Sequence, residues 1–215
     1  VGSHKLGSLP LFGQSWVRSF RGFKIGPLVA LWVHRIIRIE GVNAVYVLVG
    51  LPGSGKSTVG RHLARKLNIP FLDSDLAIEQ HLGCTIREYF EVEGEERFRE
   101  VESDILVRLL AQDSGVLSTG GGTVLRAINR ERLRARGTVF YLRSTPEDVF
   151  RRLRHDQSRP LLQVLDPMAR LRELFAVRDP LYTECAHHVI ESERPHVGAL
   201  LQLIMKHIDP LSVGP

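Results

Sequence analysis

Gly50-Leu51-Pro52-Gly53-Ser54-Gly55-Lys56-Ser57-Thr58 is the stretch that decides the fold. It satisfies G-x-x-x-x-G-K-[ST], the pattern of a phosphate-binding loop. Its flanks agree with it. Val45-Tyr46-Val47-Leu48-Val49 is an apolar run that reads as a buried parallel strand. Val59-Gly60-Arg61-His62-Leu63-Ala64-Arg65-Lys66-Leu67 carries apolar residues at helical spacing. Strand, glycine-rich turn and helix form the context in which the motif has physical meaning. Gly50, Gly53 and Gly55 allow positive φ and close approach to phosphate oxygens. Successive N–H groups and the helix N-terminus then face an anion. Lys56 reaches the β- and γ-phosphates as a point charge, and the Ser57 hydroxyl suits Mg²⁺. The motif says nucleoside triphosphate and leaves the acceptor open.

Outward from the loop, the chain alternates strand and helix. Strands are expected at Val45–Val49, Pro70–Leu72, Gly115–Ser118, Thr138–Leu142 and His187–Ile190. Helical patterns occupy 56–67, 75–82, 85–93, 95–112, 126–135, 146–154, 167–177 and 196–207. This alternation predicts an α/β fold, a five-stranded parallel sheet with helices on both faces. Right-handed crossovers bring the ligand to the carboxyl ends of the strands.

The 215 residues suffice for one domain with a real core. Residues 1–42 are rich in Gly, Ser and Arg and read as a basic extension outside the catalytic domain, whose bounds are expected at 43–208, with a tail at 209–215. The composition of the extension permits a transit peptide, a disordered arm, a membrane-surface helix or an over-long gene start. It holds six of the 29 basic residues and one of the 24 acidic ones, which leaves 23 of each in the rest of the chain. The main domain is therefore not a basic nucleic-acid platform. Cys84 and Cys185 form neither a metal pattern nor a disulfide framework, which points to a reducing, cytoplasmic setting. No apolar run reaches the ~18 residues of a membrane span.

Five further segments carry candidate chemistry. Asp73-Ser74-Asp75 follows the second strand, with two acids at i and i+2 facing the same way. One can hold a metal's water shell and the other a substrate hydroxyl, and a helix N-cap fits equally well. Glu93 to Glu102 reads as a charged amphipathic helix with Phe98, Val101 and Ile105 inward. Its charges fit a solvated salt-bridge face, and they also fit an arginine placed to fork a carboxylate. Gly120-Gly121-Gly122 follows the third strand, where close approach of backbone to a ligand explains three glycines better than a simple turn does. Arg151 to Leu162 is basic and loop-like at its centre, as suits a mobile lid, and Arg178 ends a helical pattern, where an arginine commonly partners the helix dipole. His187 and His188 face opposite ways on a strand and cannot share one metal, so they read as structural. The cysteines read as small packing residues.

Taken together and in order, these segments resemble the shikimate kinase family over about residues 44–205. The resemblance rests on Gly50–Thr58, Asp73-Ser74-Asp75, Phe98-Arg99 with Glu102, Gly120-Gly121-Gly122, and Arg159-Pro160-Leu161-Leu162 followed by Arg178-Asp179-Pro180-Leu181-Tyr182. Gly83-Cys84-Thr85-Ile86 and Phe90 look like the family's substrate-binding segment. The resemblance implies a phosphate-loop kinase fold with a mobile lid and a substrate-binding helical segment. It implies transfer of the γ-phosphate of MgATP to the 3-hydroxyl of shikimate, on the route to chorismate and the aromatic amino acids. Asp75 would bind the acceptor hydroxyls and act as base or orienter. Arg99 and Arg178 would hold the carboxylate, with Glu102 supporting Arg99 and Gly121 and Gly122 contributing backbone. Gly53, Ser54, Gly55, Lys56, Ser57 and Thr58 would surround the phosphates, and Ser57 with Asp73 would hold Mg²⁺. Arg159 would close from the lid onto ATP, Arg152 would lie nearby, and Arg194 would sit near the adenine. By family analogy the protein would be a monomer. A gluconate-type kinase and a non-catalytic regulatory relative are the competing readings; the pair Arg99 and Arg178 favours a carboxylate-bearing acceptor, and the presence of Lys56, Asp75 and Arg159 favours turnover.

Overall fold

A computed structural model describes residues 45–153, 166–191 and 196–208, all within one compact unit, Asn43–Pro215. Five parallel strands form a single sheet: β1 (Val45–Val49), β2 (Phe71–Asp73), β3 (Gly115–Ser118), β4 (Gly137–Leu142) and β5 (His188–Ile190), in the order β2-β3-β1-β4-β5. The register pairs Val47 with Leu117 on one side and with Val139 on the other. Seven helices cover the faces among the described residues. They are α1 (Lys56–Leu67), α2 (Ser74–Leu82), α3 (Ile86–Leu110), α4 (Ala127–Arg136), α5 (Pro146–Leu153), α6 (Pro167–Cys185) and α7 (Val197–Ile208).

The period-2 alternation of the strands splits the core into two layers. Val47, Val49, Leu117, Val139 and Tyr141 pack under Leu106, Leu133, Val149, Leu171 and Tyr182 from α3 to α6. Leu48, Val116, Phe140 and Ile190 pack on the other face against Val59, Leu63, Leu200 and Ile204 of α1 and α7. A third cluster of Ile78, Phe98 and Ile105 joins α2 to α3, so the inward face expected from the sequence is the observed one. Each fully buried aliphatic side chain contributes roughly 1.5–3 kcal/mol.

Local chemistry fixes the boundaries that matter for the site. Thr85 opens α3 with a reciprocal capping box to Glu88. Gly94 breaks α3 with φ 80° and ψ 175°, a conformation for which glycine is suited. This is the break expected between the 85–93 and 95–112 patterns.

The largest departure is α6. The sequence pattern ends at 177 before Pro180, yet the helix runs on to Cys185. Proline removes one helical hydrogen bond and crowds the carbonyl four residues back. Tethers at the same place hold the helix through it. The Asp179 carboxylate accepts from the Tyr141 hydroxyl at 2.7 Å and from Arg143 Nε and Nη2 at 2.9 Å each. Arg178 is therefore inside a helix rather than at its end, and its reading as a dipole partner fails. The other differences are small: β2 and β5 begin one residue later than expected, and a short 3₁₀ turn (Thr123–Leu125) precedes α4.

Candidate active site

The phosphate loop runs from the carboxyl end of β1 into α1. Gly50, Gly53 and Gly55 all have positive φ, at 147°, 81° and 94°. Gly55 precedes α1 without any side-chain cap, so the first N–H groups of the helix stay available to an anion. The buried Lys56 Nζ donates to the carbonyls of Gly50 and Leu51 at 2.9 Å each, which folds the side chain over the loop. Ser57 Oγ donates to Asp73 Oδ2 at 2.9 Å and lies 3.2 Å from Ser118 Oγ. A hydroxyl and a carboxylate beside an uncapped helix N-terminus are hard oxygen donors of the kind Mg²⁺ takes when phosphates and water complete its shell. Among the described residues no group of three or more His, Cys, Asp and Glu side chains could hold a metal by itself.

Asp73 is the helix N-cap, one of the readings its sequence left open. Oδ1 caps α2 by accepting from the Asp75 N–H at 3.2 Å, while Oδ2 accepts from Ser57. Asp75 then begins α2 with its carboxyl turned to the triple-glycine loop. Ser74 Oγ links the two: it accepts from the Gly120 N–H at 2.8 Å and lies 3.5 Å from Asp75 Oδ1. Burial lifts the Asp75 pKa above its ordinary value, and the charges of Asp73 and Glu102 add to the lift against the opposing pull of Lys56. Protein atoms crowd the carboxyl, but the residue as a whole is exposed at the cleft mouth. Water there tempers the size of the shift without reversing it.

Arg99 is 9% exposed and lies against Gly122 of the triple-glycine loop. Nη1 donates to Glu102 Oε2 at 2.7 Å and Nη2 to Glu95 Oε1 at 2.9 Å. The guanidinium also lies 5.2 Å from the Phe98 ring centroid. Burial opposes its charge, and Glu102 and Glu95 more than offset that opposition. Glu102, 2% exposed, is satisfied on its other oxygen by Thr123 Oγ1 at 2.7 Å. The 93–102 helix has the salt-bridge face expected of it, with Arg97 paired to Glu100 on the exposed side, whereas Arg99 points inward to Glu102.

The triple glycine is the joint of the site. None of the three has positive φ, so conformation does not demand glycine there. Space does. A Cβ on Gly120 would stand 2.6 Å from Asp75 Oδ1, on Gly121 2.7 Å from Pro52 Cδ, and on Gly122 2.5 Å from Arg99 Nη1. The loop touches the acid, the phosphate loop and the arginine with one residue each. The Gly121 carbonyl accepts from Arg178 Nη1 at 3.1 Å and from the Tyr182 hydroxyl at 2.6 Å. The close approach expected of these glycines is therefore to the side chains that build the site.

The structure brings together Lys56, Ser57, Asp73, Asp75, Arg99, Glu102, Gly121, Gly122 and Arg178. Arg152 lies against the phosphate loop, donating from Nη1 to the Ser54 carbonyl at 3.2 Å. Arg159, most of the Arg151 to Leu162 segment and Arg194 fall outside the described residues. Thr123, Ser74 and Tyr182 join the cluster through contacts across distant elements, which the sequence does not disclose, and Glu95 joins it through an i,i+4 pair with Arg99. A concavity of about 500 Å³ at the turn between α2 and α3 is lined by Glu79, Gln80, Gly83, Cys84, Thr85 and Glu88. It includes none of the residues above, and its acids repel phosphate. His187 Nδ1 accepts from the Val139 N–H at 3.0 Å and His188 stacks on Phe140, so both are structural. Burial pushes the Cys185 thiol up to about 11, which suits a packing residue.

Comparison with known proteins agrees with this geometry. A family model described as shikimate kinase matches residues 52–209. A shikimate kinase of Paracidovorax citrulli is 55% identical over 171 residues, covering 78% of this chain and 93% of that protein. One of Ralstonia nicotianae is 51% identical over 161 residues, covering 75% of this chain and 85% of that protein. Among solved structures, shikimate kinase from Acinetobacter baumannii in complex with shikimate superposes with a TM-score of 0.75 at 44% identity, covering 82% of this chain and 99% of that one. With the phosphate loop, the paired acids, the buried arginine and the triple glycine assembled on this sheet, the chain belongs to the shikimate kinase family.

Proposed function

We propose that this chain phosphorylates the 3-hydroxyl of shikimate with MgATP, giving shikimate 3-phosphate and ADP in chorismate biosynthesis. The observation that carries the site assignment is the triple-glycine loop, which touches Pro52 of the phosphate loop and both Asp75 and Arg99. A donor site and an acceptor site that share one loop are held in fixed relation, and phosphoryl transfer depends mainly on such positioning and on charge.

Arg99 and Arg178 take the acceptor carboxylate, each with a guanidinium that can fork it. Gly121 and Gly122 complete that side with backbone. Asp75 orients the 3-hydroxyl and accepts its proton as the oxygen bonds to the γ-phosphorus. The bond from that phosphorus to the bridging oxygen of ADP breaks. A carboxyl with a raised pKa is a stronger base than an ordinary aspartate. Gly53, Ser54, Gly55 and Thr58 surround the phosphates, and Lys56 swings from the loop carbonyls to the β- and γ-phosphates. Ser57 and Asp73 are the residues that would hold Mg²⁺, which when bound would neutralise charge on the phosphates. Arg159 and Arg152 add positive charge for the phosphates of ATP in this reading, and Arg194 is assigned to the adenine.

The kinase domain spans 43–208, and residues 1–42 and 209–215 lie outside the catalytic machinery. The enzyme works in the cytoplasm as a monomer, without a nucleic-acid partner. The balanced charge beyond residue 42 supports the last point. Among the described residues no helix is long and apolar enough to cross a membrane.

The test is ADP release from MgATP by the purified protein, with shikimate, gluconate or quinate. Stimulation by shikimate alone is expected. Stimulation by gluconate or quinate instead would reassign the acceptor, and no stimulation with MgATP bound would make the chain a non-catalytic relative.

A further inference from the structure

Tyr182 stands outside the residues assigned to the reaction, yet it is fully buried with its hydroxyl on the Gly121 carbonyl at 2.6 Å. Its ring packs 5.0 Å from that of Tyr141. Burial raises its pKa to about 12, so the hydroxyl keeps its proton and donates. Arg178 lies four residues earlier on α6, on the same helix face, and donates to the same carbonyl at 3.1 Å. One carbonyl therefore has two donors, one neutral and fixed, one charged and on a long side chain.

These donors have unequal duties in the reading proposed above, on which this inference rests. To take the acceptor carboxylate, Arg178 must turn away from Gly121. The Gly121 carbonyl is part-buried, and stripping it of its donor is penalised, which would oppose acceptor binding. With Tyr182 in place, the carbonyl keeps a partner. The loop also keeps its position against Pro52, which lies so close that Gly121 has no room for a side chain. The Asp179 tether to Tyr141 and Arg143 holds α6 through Pro180, so both donors stay aimed at the loop.

We infer that Tyr182 is a positioning residue for the acceptor: its hydroxyl holds the Gly121 carbonyl while Arg178 is released to the shikimate carboxylate. The test is Tyr182→Phe, which removes the hydroxyl and keeps the ring. Arg178→Ala and the double variant accompany it, with KM and kcat measured for shikimate and MgATP and shikimate Kd measured by calorimetry below the unfolding temperature. Tyr182→Phe should raise shikimate KM and Kd about tenfold, which is about 1.4 kcal/mol. Its kcat and MgATP KM should stay within about twofold. In the Arg178→Ala background the same change should add less than about twofold, because no arginine is left to release. Two results overturn the inference and leave the site reading intact. They are an unchanged shikimate Kd in Tyr182→Phe while Arg178→Ala is weakened, or an equal loss in both backgrounds, which makes Tyr182 a matter of folding. An unchanged Kd in Arg178→Ala overturns the carboxylate reading itself, and this inference falls with it.

Discussion

Gly122→Ala places one methyl group against the guanidinium of Arg99, and the structure gives the size of the conflict. Gly122 has φ −96° and ψ −9°, which alanine adopts without strain. The new Cβ would stand 2.5 Å from Nη1, 2.6 Å from Nη2 and 2.8 Å from Cζ. Ordinary contact begins at 3.4 Å, so the whole guanidinium plane must retreat by about 0.9 Å. Arg99 has little freedom to comply: Glu102 holds Nη1 at 2.7 Å and Glu95 holds Nη2 at 2.9 Å. A retreat of this size takes the group off its carboxylate geometry, and misplacement by about 1 Å can cost about 10²-fold.

The expected result is a fall of roughly 30- to 100-fold in kcat/KM for shikimate, carried mainly by KM. The MgATP KM should stay within about twofold, since Gly122 does not touch the phosphate loop. Steady-state kinetics with each substrate varied in turn reads both numbers. Gly55→Ala is the contrasting variant. Its Cβ would meet nothing within 4 Å, but φ there is 94°, so its cost is strain of about 1–2 kcal/mol and its kinetic defect belongs to MgATP. A Gly122→Ala enzyme with shikimate kcat/KM within threefold of the parent, or with its loss on MgATP, would refute the claim that this glycine exists to admit Arg99.

Asp75→Asn should lower turnover by about 10²–10⁴ while MgATP still binds; its melting temperature should stay level or rise. The folded pKa of Asp75 is raised, so this group favours the fold below its unfolded pKa, and that contribution is lost as pH rises through the folded pKa. At neutral pH its charge is a burden on the fold that asparagine removes, and a clear drop in melting temperature would contradict this. The same shift should put the acid limb of the kcat/KM profile above the ordinary aspartate value of about 3.9, and a limb at or below that value would exclude Asp75 as the base. Glu102→Ala strips Arg99 of its buried partner and should cost about 3–5 kcal/mol in denaturant unfolding; a loss under about 1 kcal/mol would mean that Glu95 alone suffices. Deleting residues 1–42 should leave a folded, active kinase, and an insoluble or inactive product would move the domain boundary.

What the sequence discloses here is whatever depends on neighbours along the chain. The phosphate loop, the alternation of strands and helices, and the break at Gly94 all rest on local patterns. Of the readings of Asp73, the helix N-cap is the one seen, and its second carboxylate oxygen is occupied by Ser57. The failures share the opposite cause. The helix through Pro180 could not be read from its own residues, because the support comes from Tyr141 and Arg143 on β4 and just beyond it, about 40 positions earlier. The triple glycine was legible as a place of close approach, but what approaches could not be known until Pro52, Asp75 and Arg99 were folded around it. Thr123 gives no signal at all in the sequence: a threonine after three glycines is unremarked until its hydroxyl is seen satisfying the second oxygen of Glu102. Without that bond the carboxylate that steadies Arg99 would have a buried oxygen without a partner, a cost comparable to losing the hydrogen bond itself. The residues assigned to the reaction are thus legible as types in a pattern, whereas the residues that hold them still become visible mainly through contacts across the fold.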